Sequence, residues 1–251
     1  MIHGGYAAYH CDLARRRFFV ERIHDNRASL TGDDARHLAR VLRAEPGQRY
    51  EISDNQRAYL AEVAEITRHH IEFRILEPLP APPQPDVTLY ASLIKFDRFE
   101  WLIEKATELG VSRIVPVNAE RSEKGLAAAA DKRIERWRKI AHESSQQSRR
   151  LRVPEIAAVA TFASAISNQW PNRYFLDEEP GPPWLLKALP ENPHGAAAIL
   201  TGPEGGWTDR ERAGALAGGW KPVSLGPNIL RAETAAIAAL AILCPLRYFP
   251  S

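Results

Sequence analysis

AAAILTGPEGGWTDRE, residues 196–211, runs an apolar strand of small residues into a loop that holds Gly202, Gly205 and Gly206. Thr208 and Glu211 have the spacing of a capping box, so a helix opens at Thr208. Glycine lets backbone amides and carbonyls come close to a ligand. At the carboxyl end of a parallel strand, such a loop lies where α/β sheets bind small molecules. Taken alone, the loop reads equally well as a plain turn that needs a positive φ. About twenty residues on, SLGPNILRAETAAIAAL (224–240) repeats the plan with a Gly-Pro turn and a helix of small residues. Neither loop is a phosphate cradle, because the chain has no G-x-G-x-x-G and no G-x-x-x-x-G-K-[ST] after a strand.

Upstream, the same alternation recurs. VTLYASLI (87–94) predicts a buried strand, and FDRFEWLIEKATELG (96–110) a helix. That helix sets Phe99, Leu102, Ile103, Ala106 and Leu109 on one face, with Gly110 as its C-cap. RIVPV (113–117), RYFLDE, AAAILTG and PVSLG (222–226) predict further strands. Between and after them, residues 131–150 predict a long basic helix, 208–219 a second helix and 232–246 a last one. Strands alternating with helices predict a parallel sheet covered on both faces.

The sharpest break in composition is EPLPAPPQPD (77–86), with five prolines in ten residues, which reads as a stiff extended linker. Ahead of it, RRRFFVERI (15–23), YEISD, AYLAEVAEI and HHIEFRIL read as strands. TGDDARHLARVLRAEPGQ (31–48) reads as one short helix that stops at Pro46-Gly47. Short strands with a single helix predict a small barrel-like domain.

The formal net charge is +2, so an acidic partner must be met by local clusters rather than by a global field. Cys11 and Cys244 make neither a disulfide framework nor a zinc site, and a reducing cytoplasm is the expected setting. No apolar run is long enough to span a bilayer. The opening MIHGGYAAYHCDLARRR lacks a signal-peptide core and reads as a loose extension or a mis-assigned start. HESSQ (142–146) lacks the second histidine of a zincin, and His69-His70 sends its two rings to opposite faces of a strand, so no metal is expected.

Read together, LTGPEGGWTDRE and SLGPNILRAETAA resemble the two cofactor loops of the SPOUT class of methyltransferases. They are most similar to the RsmE family, which methylates N3 of a uridine in 16S ribosomal RNA. RFFV (17–20), GDDARHLARVLRAEPGQ (32–48), KFDRFEWLIEKATELGV (95–111), PVNAERSE (116–123) and RLRVPEI (150–156) resemble segments of that family in the same order. The resemblance implies an α/β protein: a SPOUT-type parallel sheet with a deep trefoil knot over 87–251, and a small PUA-like β-barrel domain for RNA over 15–78. Composition sets a Pro-rich linker at 79–86 between the two, and the extension at 1–14, read as flexible, has no recognised counterpart in the family. The resemblance also implies a homodimer, S-adenosylmethionine as cofactor, and 16S ribosomal RNA or the small ribosomal subunit as partner, with no membrane.

Carried over residue by residue, the expected cofactor set is Leu200, Thr201, Gly202, Glu204, Gly205, Gly206, Leu225, Gly226, Ile229, Leu230 and Arg231. Backbone groups in these loops would read adenine without charge. The imide N–H of uridine must lose its proton before N3 attacks. Arg231 is the candidate for stabilising the oxyanion that develops, and Glu204 or Glu233 for accepting the proton. A uridinate held by Arg231 with no protein base is the alternative; the bland readings are a salt bridge to Glu233 or phosphate positioning for Arg231, and a loop-stabilising hydrogen bond for Glu204. The expected RNA contacts are Arg17, Arg36, Arg40, Arg43, Arg121, Arg149 and Arg150, since a planar guanidinium pairs bidentately with phosphate. A basic helical face is also often merely solvated. Gln146-Gln147-Ser148-Arg149-Arg150 stands where the family pattern resembles E-Q-S-G-R, so a carboxylate and a glycine are replaced. The competing readings are a methyltransferase of the same class acting on another RNA base, and a non-catalytic RNA-binding assembly factor with the same fold.

Overall fold

The computed structural model describes residues 16–191, 193 and 195–247; the extension expected at 1–14, and Arg15, lie outside them. The chain forms two compact units. One holds the described residues up to Pro82 together with Ser145–Arg152, and the other holds Pro83–Ser144 and the described residues from Val153 on.

The first unit contains β1 (Arg17–Phe19), β2 (Ile23–His24), β3 (Arg27–Thr31), α1 (Gly32–Arg40), β4 (Arg49–Ser53), β5 (Ala58–Ile66) and β6 (His70–Leu79). The strands form one sheet in the order β1-β4-β5-β6-β3-β2, antiparallel except for the β1–β4 pair. β3 is the strand that propensity missed. Its signal is Asp25-Asn26, whose φ angles of 48° and 59° make the two-residue turn that matches strand twist. β6 runs through Pro78 into the proline-rich stretch. β3 begins opposite Arg74 and does not extend alongside Pro78, so the missing donor of Pro78 leaves no β3 carbonyl unserved. The core centres on Tyr50, which meets Phe18 and Phe73 edge-on at 5.9 and 6.3 Å.

Segment 145–152 is fastened into this unit by polar contacts. Ser53 Oγ donates to the Leu151 carbonyl at 2.7 Å. The buried Glu51 carboxylate accepts from Arg17 Nη2 at 2.8 Å and from Arg149 Nε at 3.1 Å. Burial pushes the Arg17 guanidinium below its ordinary value; burial, and then the charge of Arg17, move Arg149 the same way. Arg149 has a φ of 55°, the left-handed region where glycine fits without cost. Arg149→Gly should therefore be more stable than Arg149→Ala by about 1 kcal/mol. Both should fall below the parent, because the contacts to Glu51 are lost. Urea denaturation of the three proteins checks the order, and equal stability of the two variants would refute the account.

The second unit contains, in chain order, β7 (Val87–Ser92), α2 (Phe96–Glu108), β8 (Arg113–Asn118), α3 (Leu126–Ala130) and α4 (Ile134–Gln147, whose last residues count with the first unit). Then come β9 (Glu155–Ile156), β10 (Ala160–Thr161), α5 (Phe162–Ser167), β11 (Asn172–Leu176) and α6 (Leu185–Ala188). β12 (Ala197–Thr201), α7 (Asp209–Ala217), β13 (Lys221–Val223) and α8 (Ala232–Leu243) complete it. The sheet order is β13-β11-β12-β7-β8, with β9 and β10 both added along the outer edge of β8, and every pairing is parallel. The basic helix expected over 131–150 is a 3-10 turn followed by α4, and it ends at Gln147, before the positive φ of Arg149.

Alternate residues of the central strands build two cores. Leu89 and Ile199 pack with α2, α4 and α8 on one face, while Tyr90 and Leu200 pack with α5 and α7 on the other. β7 and β12 are buried along their whole length, as a parallel sheet covered on both sides requires. Gly110, at φ 103°, follows the end of α2. Among the described residues no helix is long and apolar enough to cross a membrane.

Candidate functional site

Sheet order brings the two glycine loops together in space. β11 sits between β12 and β13, so the loop after each of its neighbours meets the loop after β11 at one edge of the sheet. Together with Arg98 in the first turn of α2, these loops line a cavity of about 530 Å³. It lies at the carboxyl ends of parallel strands, where this architecture places ligands.

Trp207 anchors the first loop. Its indole is buried, stacks on Phe175 at 4.9 Å and donates from Nε1 to the Leu176 carbonyl at 2.9 Å. A Cβ on Gly202 would lie 3.0 Å from that nitrogen. Gly206 has a φ of 70°, and a Cβ there would fall 2.4 Å from Glu178 Oε1. Arg121 Nη1 donates to the Gly205 and Trp207 carbonyls at 3.2 and 3.1 Å. Arg212 fixes the far side: Nη1 donates to the Trp207 carbonyl at 3.0 Å, Nε to Asp177 Oδ1 at 3.0 Å and Nη2 to Glu178 Oε1 at 2.6 Å. Burial alone would lower the Arg212 guanidinium, but the Asp177 hydrogen bond and the charges of Asp177, Glu178 and Glu179 outweigh it and hold it above its ordinary value. The capping box is complete, with Thr208 N donating to Glu211 Oε2 at 3.0 Å and Glu211 N to Thr208 Oγ1 at 3.2 Å. The other oxygen of Glu211 accepts from Glu120 N at 2.8 Å, which ties α7 to the loop after β8.

In the second loop, Arg231 is the N-cap residue of α8 and its carbonyl accepts from Ala235 N at 2.8 Å. Its guanidinium is exposed and has no ion-pair partner among the described residues. Glu233, in the first turn of α8, is buried away from the cavity, and its Oε2 has no hydrogen-bond partner among the described residues. The salt bridge between these two residues is therefore not formed.

Of the expected cofactor set, Gly202, Glu204, Gly205, Gly206, Leu225, Gly226, Ile229, Leu230 and Arg231 line the cavity. Leu200 and Thr201 lie beneath it as buried residues of β12. The cavity also has Arg98, Asp177 and Glu178 in its wall, which the motifs did not flag. Arg98 forms an ion pair with Glu204. The signal for these residues was present: KFDRFE and RYFLDEE each carry charge just past a parallel strand.

The expected RNA arginines divide by environment. Arg36, Arg40 and Arg43 are exposed on and just after α1, beside the exposed Val41 and Leu42, and Arg36 pairs with Asp33. Arg17 and Arg149 hold Glu51. Arg150 is buried and donates from Nε to the Arg152 carbonyl at 3.1 Å. Arg121 holds the first glycine loop.

The chemistry of the cavity suits S-adenosylmethionine. The carboxylates of Asp177, Glu178 and Glu204 stand with Arg98 and Arg231 around apolar Leu225, Ile229 and Leu230. Among the described residues no lysine lines the wall, and the glycine loops leave main-chain groups accessible. With three carboxylates against two arginines, such a lining favours a cationic ligand over an anionic one. Among the described residues no group of three or more His, Cys, Asp or Glu is placed to hold a metal ion.

Comparison with known proteins agrees with this geometry. Residues 81–244 match the RNA methyltransferase domain family, and residues 30–76 match the RNA methyltransferase PUA domain. The chain is 35% identical over 240 residues to a ribosomal RNA small subunit methyltransferase E of Synechocystis, covering 88% of this chain and 74% of that one. It is 30% identical to the protein of the same name from Bacillus subtilis, over 91% of this chain and 95% of its relative. The crystal structure of a ribosomal RNA small subunit methyltransferase E from Neisseria gonorrhoeae, bound to S-adenosyl methionine, superposes with a TM-score of 0.83 at 30% identity, over 92% of this chain and 98% of that one.

Proposed function

This chain belongs to the ribosomal RNA small subunit methyltransferase E family, and from that premise we propose that it methylates N3 of a uridine in 16S ribosomal RNA. The observation that carries the reading is the single cavity wall built by two glycine loops and the unpaired Arg231. When bound, S-adenosylmethionine supplies a sulfonium methyl group that deprotonated N3 attacks, leaving the thioether.

The residues of the chain do the rest. Gly202, Gly205, Gly206, Leu225, Gly226, Ile229 and Leu230 hold the cofactor, over a floor that Leu200 and Thr201 support. Arg231 carries an uncommitted positive charge and neutralises the uracil carbonyl oxygens as N3 loses its proton. Glu204 accepts that proton; it lines the cavity, whereas Glu233 does not. The contact with Arg98 keeps the Glu204 carboxylate oriented until substrate displaces it. Exposed Arg40 and Arg43 on the PUA-like unit, with Arg36 beside its partner Asp33, provide phosphate contacts, while Arg17, Arg121, Arg149 and Arg150 add charge around anchored segments.

The reading includes a cytoplasmic homodimer with a trefoil knot and no metal. Exposed Trp101, on the helix that packs with α8, supports a second copy covering that face. Sedimentation that finds only active monomer would remove the dimer from the proposal, and a chain trace of an experimental structure through 202–231 tests the knot. The function itself is tested by mass spectrometry of ribosomal RNA from a strain that lacks the protein. N3-methyluridine should disappear from the small-subunit RNA and return on complementation. Its retention refutes the reading.

A further inference from the structure

We propose that Glu178 reads the ribose of the cofactor through its two vicinal hydroxyls, an inference that rests on the cofactor reading above. Glu178 lies two residues past the end of β11, the middle one of the three strands whose loops form the cavity, and it is part of the wall. Its carboxylate is held from one side. Oε1 accepts from Arg212 Nη2 at 2.6 Å and from Trp207 N at 3.3 Å. Oε2 has no hydrogen-bond donor among the described residues. The carboxylate is thus oriented in advance and keeps one oxygen available.

The first glycine loop is shaped around this group. Gly206 takes a φ of 70°, and any Cβ there would collide with Glu178 Oε1 at 2.4 Å. A backbone conformation reserved for glycine therefore makes room for one carboxylate at a ligand wall. The same carboxylate sets the Trp207 amide, so ligand recognition and loop position share an anchor.

The chemistry selects the diol over the ammonium of the cofactor's amino-acid end. Arg212, whose side chain is largely buried, occupies one oxygen of Glu178 and also pairs with Asp177 and Glu179, so Glu178 is partly neutralised and is set apart by its single open oxygen. An ion-paired carboxylate is a weakened counter-ion for a second cation, yet its free oxygen accepts from neutral hydroxyls. Two adjacent hydroxyls present two donors to that oxygen, and a deoxyribose presents one fewer.

Titration calorimetry on the full-length protein distinguishes these cases. The probes are S-adenosylhomocysteine, 5′-methylthioadenosine (the nucleoside without the amino-acid end) and the 2′-deoxy form of methylthioadenosine. Glu178→Ala should weaken the first two by a similar factor, about 10- to 100-fold, and the deoxy probe far less. Glu178→Gln, whose carbonyl can keep the contacts to Arg212 Nη2 and Trp207 N while its NH2 replaces the free acceptor, should show the same order of losses on the three probes with the loop still anchored. Loss confined to S-adenosylhomocysteine assigns the residue to the ammonium and overturns the proposal. Equal loss on all three probes, the deoxy one included, also overturns it. A parent protein that binds none of the probes defeats the cofactor reading itself, which is a separate outcome.

Discussion

Arg231→Ala lowers turnover about 10²- to 10³-fold while the affinity for S-adenosylhomocysteine changes by less than about threefold, as expected when a group acts mainly on charge that develops in the transition state. The guanidinium is exposed and unpaired among the described residues, so its charge is spent on no internal contact. The part of Arg231 that the fold uses is its carbonyl, which accepts the first hydrogen bond of α8 and survives the substitution. Single-turnover rates at saturating cofactor, beside calorimetric affinities, separate the two effects. If affinity collapses while saturated turnover is unchanged, Arg231 is a cofactor residue only. Arg231→Lys should recover part of the rate, because it restores charge without the planar fork.

The largest stability effect is expected at Trp207. Replacement by alanine should cost about 3–5 kcal/mol, the range for emptying a buried large aromatic site. The ring is enclosed by Phe162 and Phe175, and its removal leaves the Leu176 carbonyl without its donor. The first glycine loop then loses the surface on which Gly202 rests. Urea denaturation gives the stability change, and cofactor affinity should fall with it. A cost below about 1 kcal/mol, the scale of an ordinary surface change, would mean that the loop is held by its arginine contacts instead.

Much of this architecture is legible because it follows residue periodicity. VTLYAS reads as a strand buried on both sides, and Phe99, Leu102, Ile103 and Ala106 read as one face of α2. The two loops are legible from their glycines. Their meeting is not, because it depends on β11 lying between β12 and β13, and nothing local to any strand records its neighbours. Arg98, Asp177 and Glu178 are legible as charges just past strands, but only sheet order shows that those strand ends share one cavity. Arg17 and Arg149 show a second kind of hidden neighbour. Both look like free cations in sequence, yet Glu51, 34 and 98 positions away, takes up both guanidinium groups. β3 was hidden by weak propensity in RASLT, where a two-residue turn carried the information.

The fastening of segment 145–152 onto the first unit has a consequence for synthesis. A chain emerging from the ribosome has released all six strands of that unit by Leu79, yet Ser53 and Glu51 must wait for Leu151 and Arg149. By then α2 and β8 of the other unit are already outside. The RNA-binding half is therefore completed only after the catalytic half has begun to form. A fragment cut at the proline stretch would leave a buried carboxylate with half of its partners, so the evident seam in the sequence is a poor place to divide the protein.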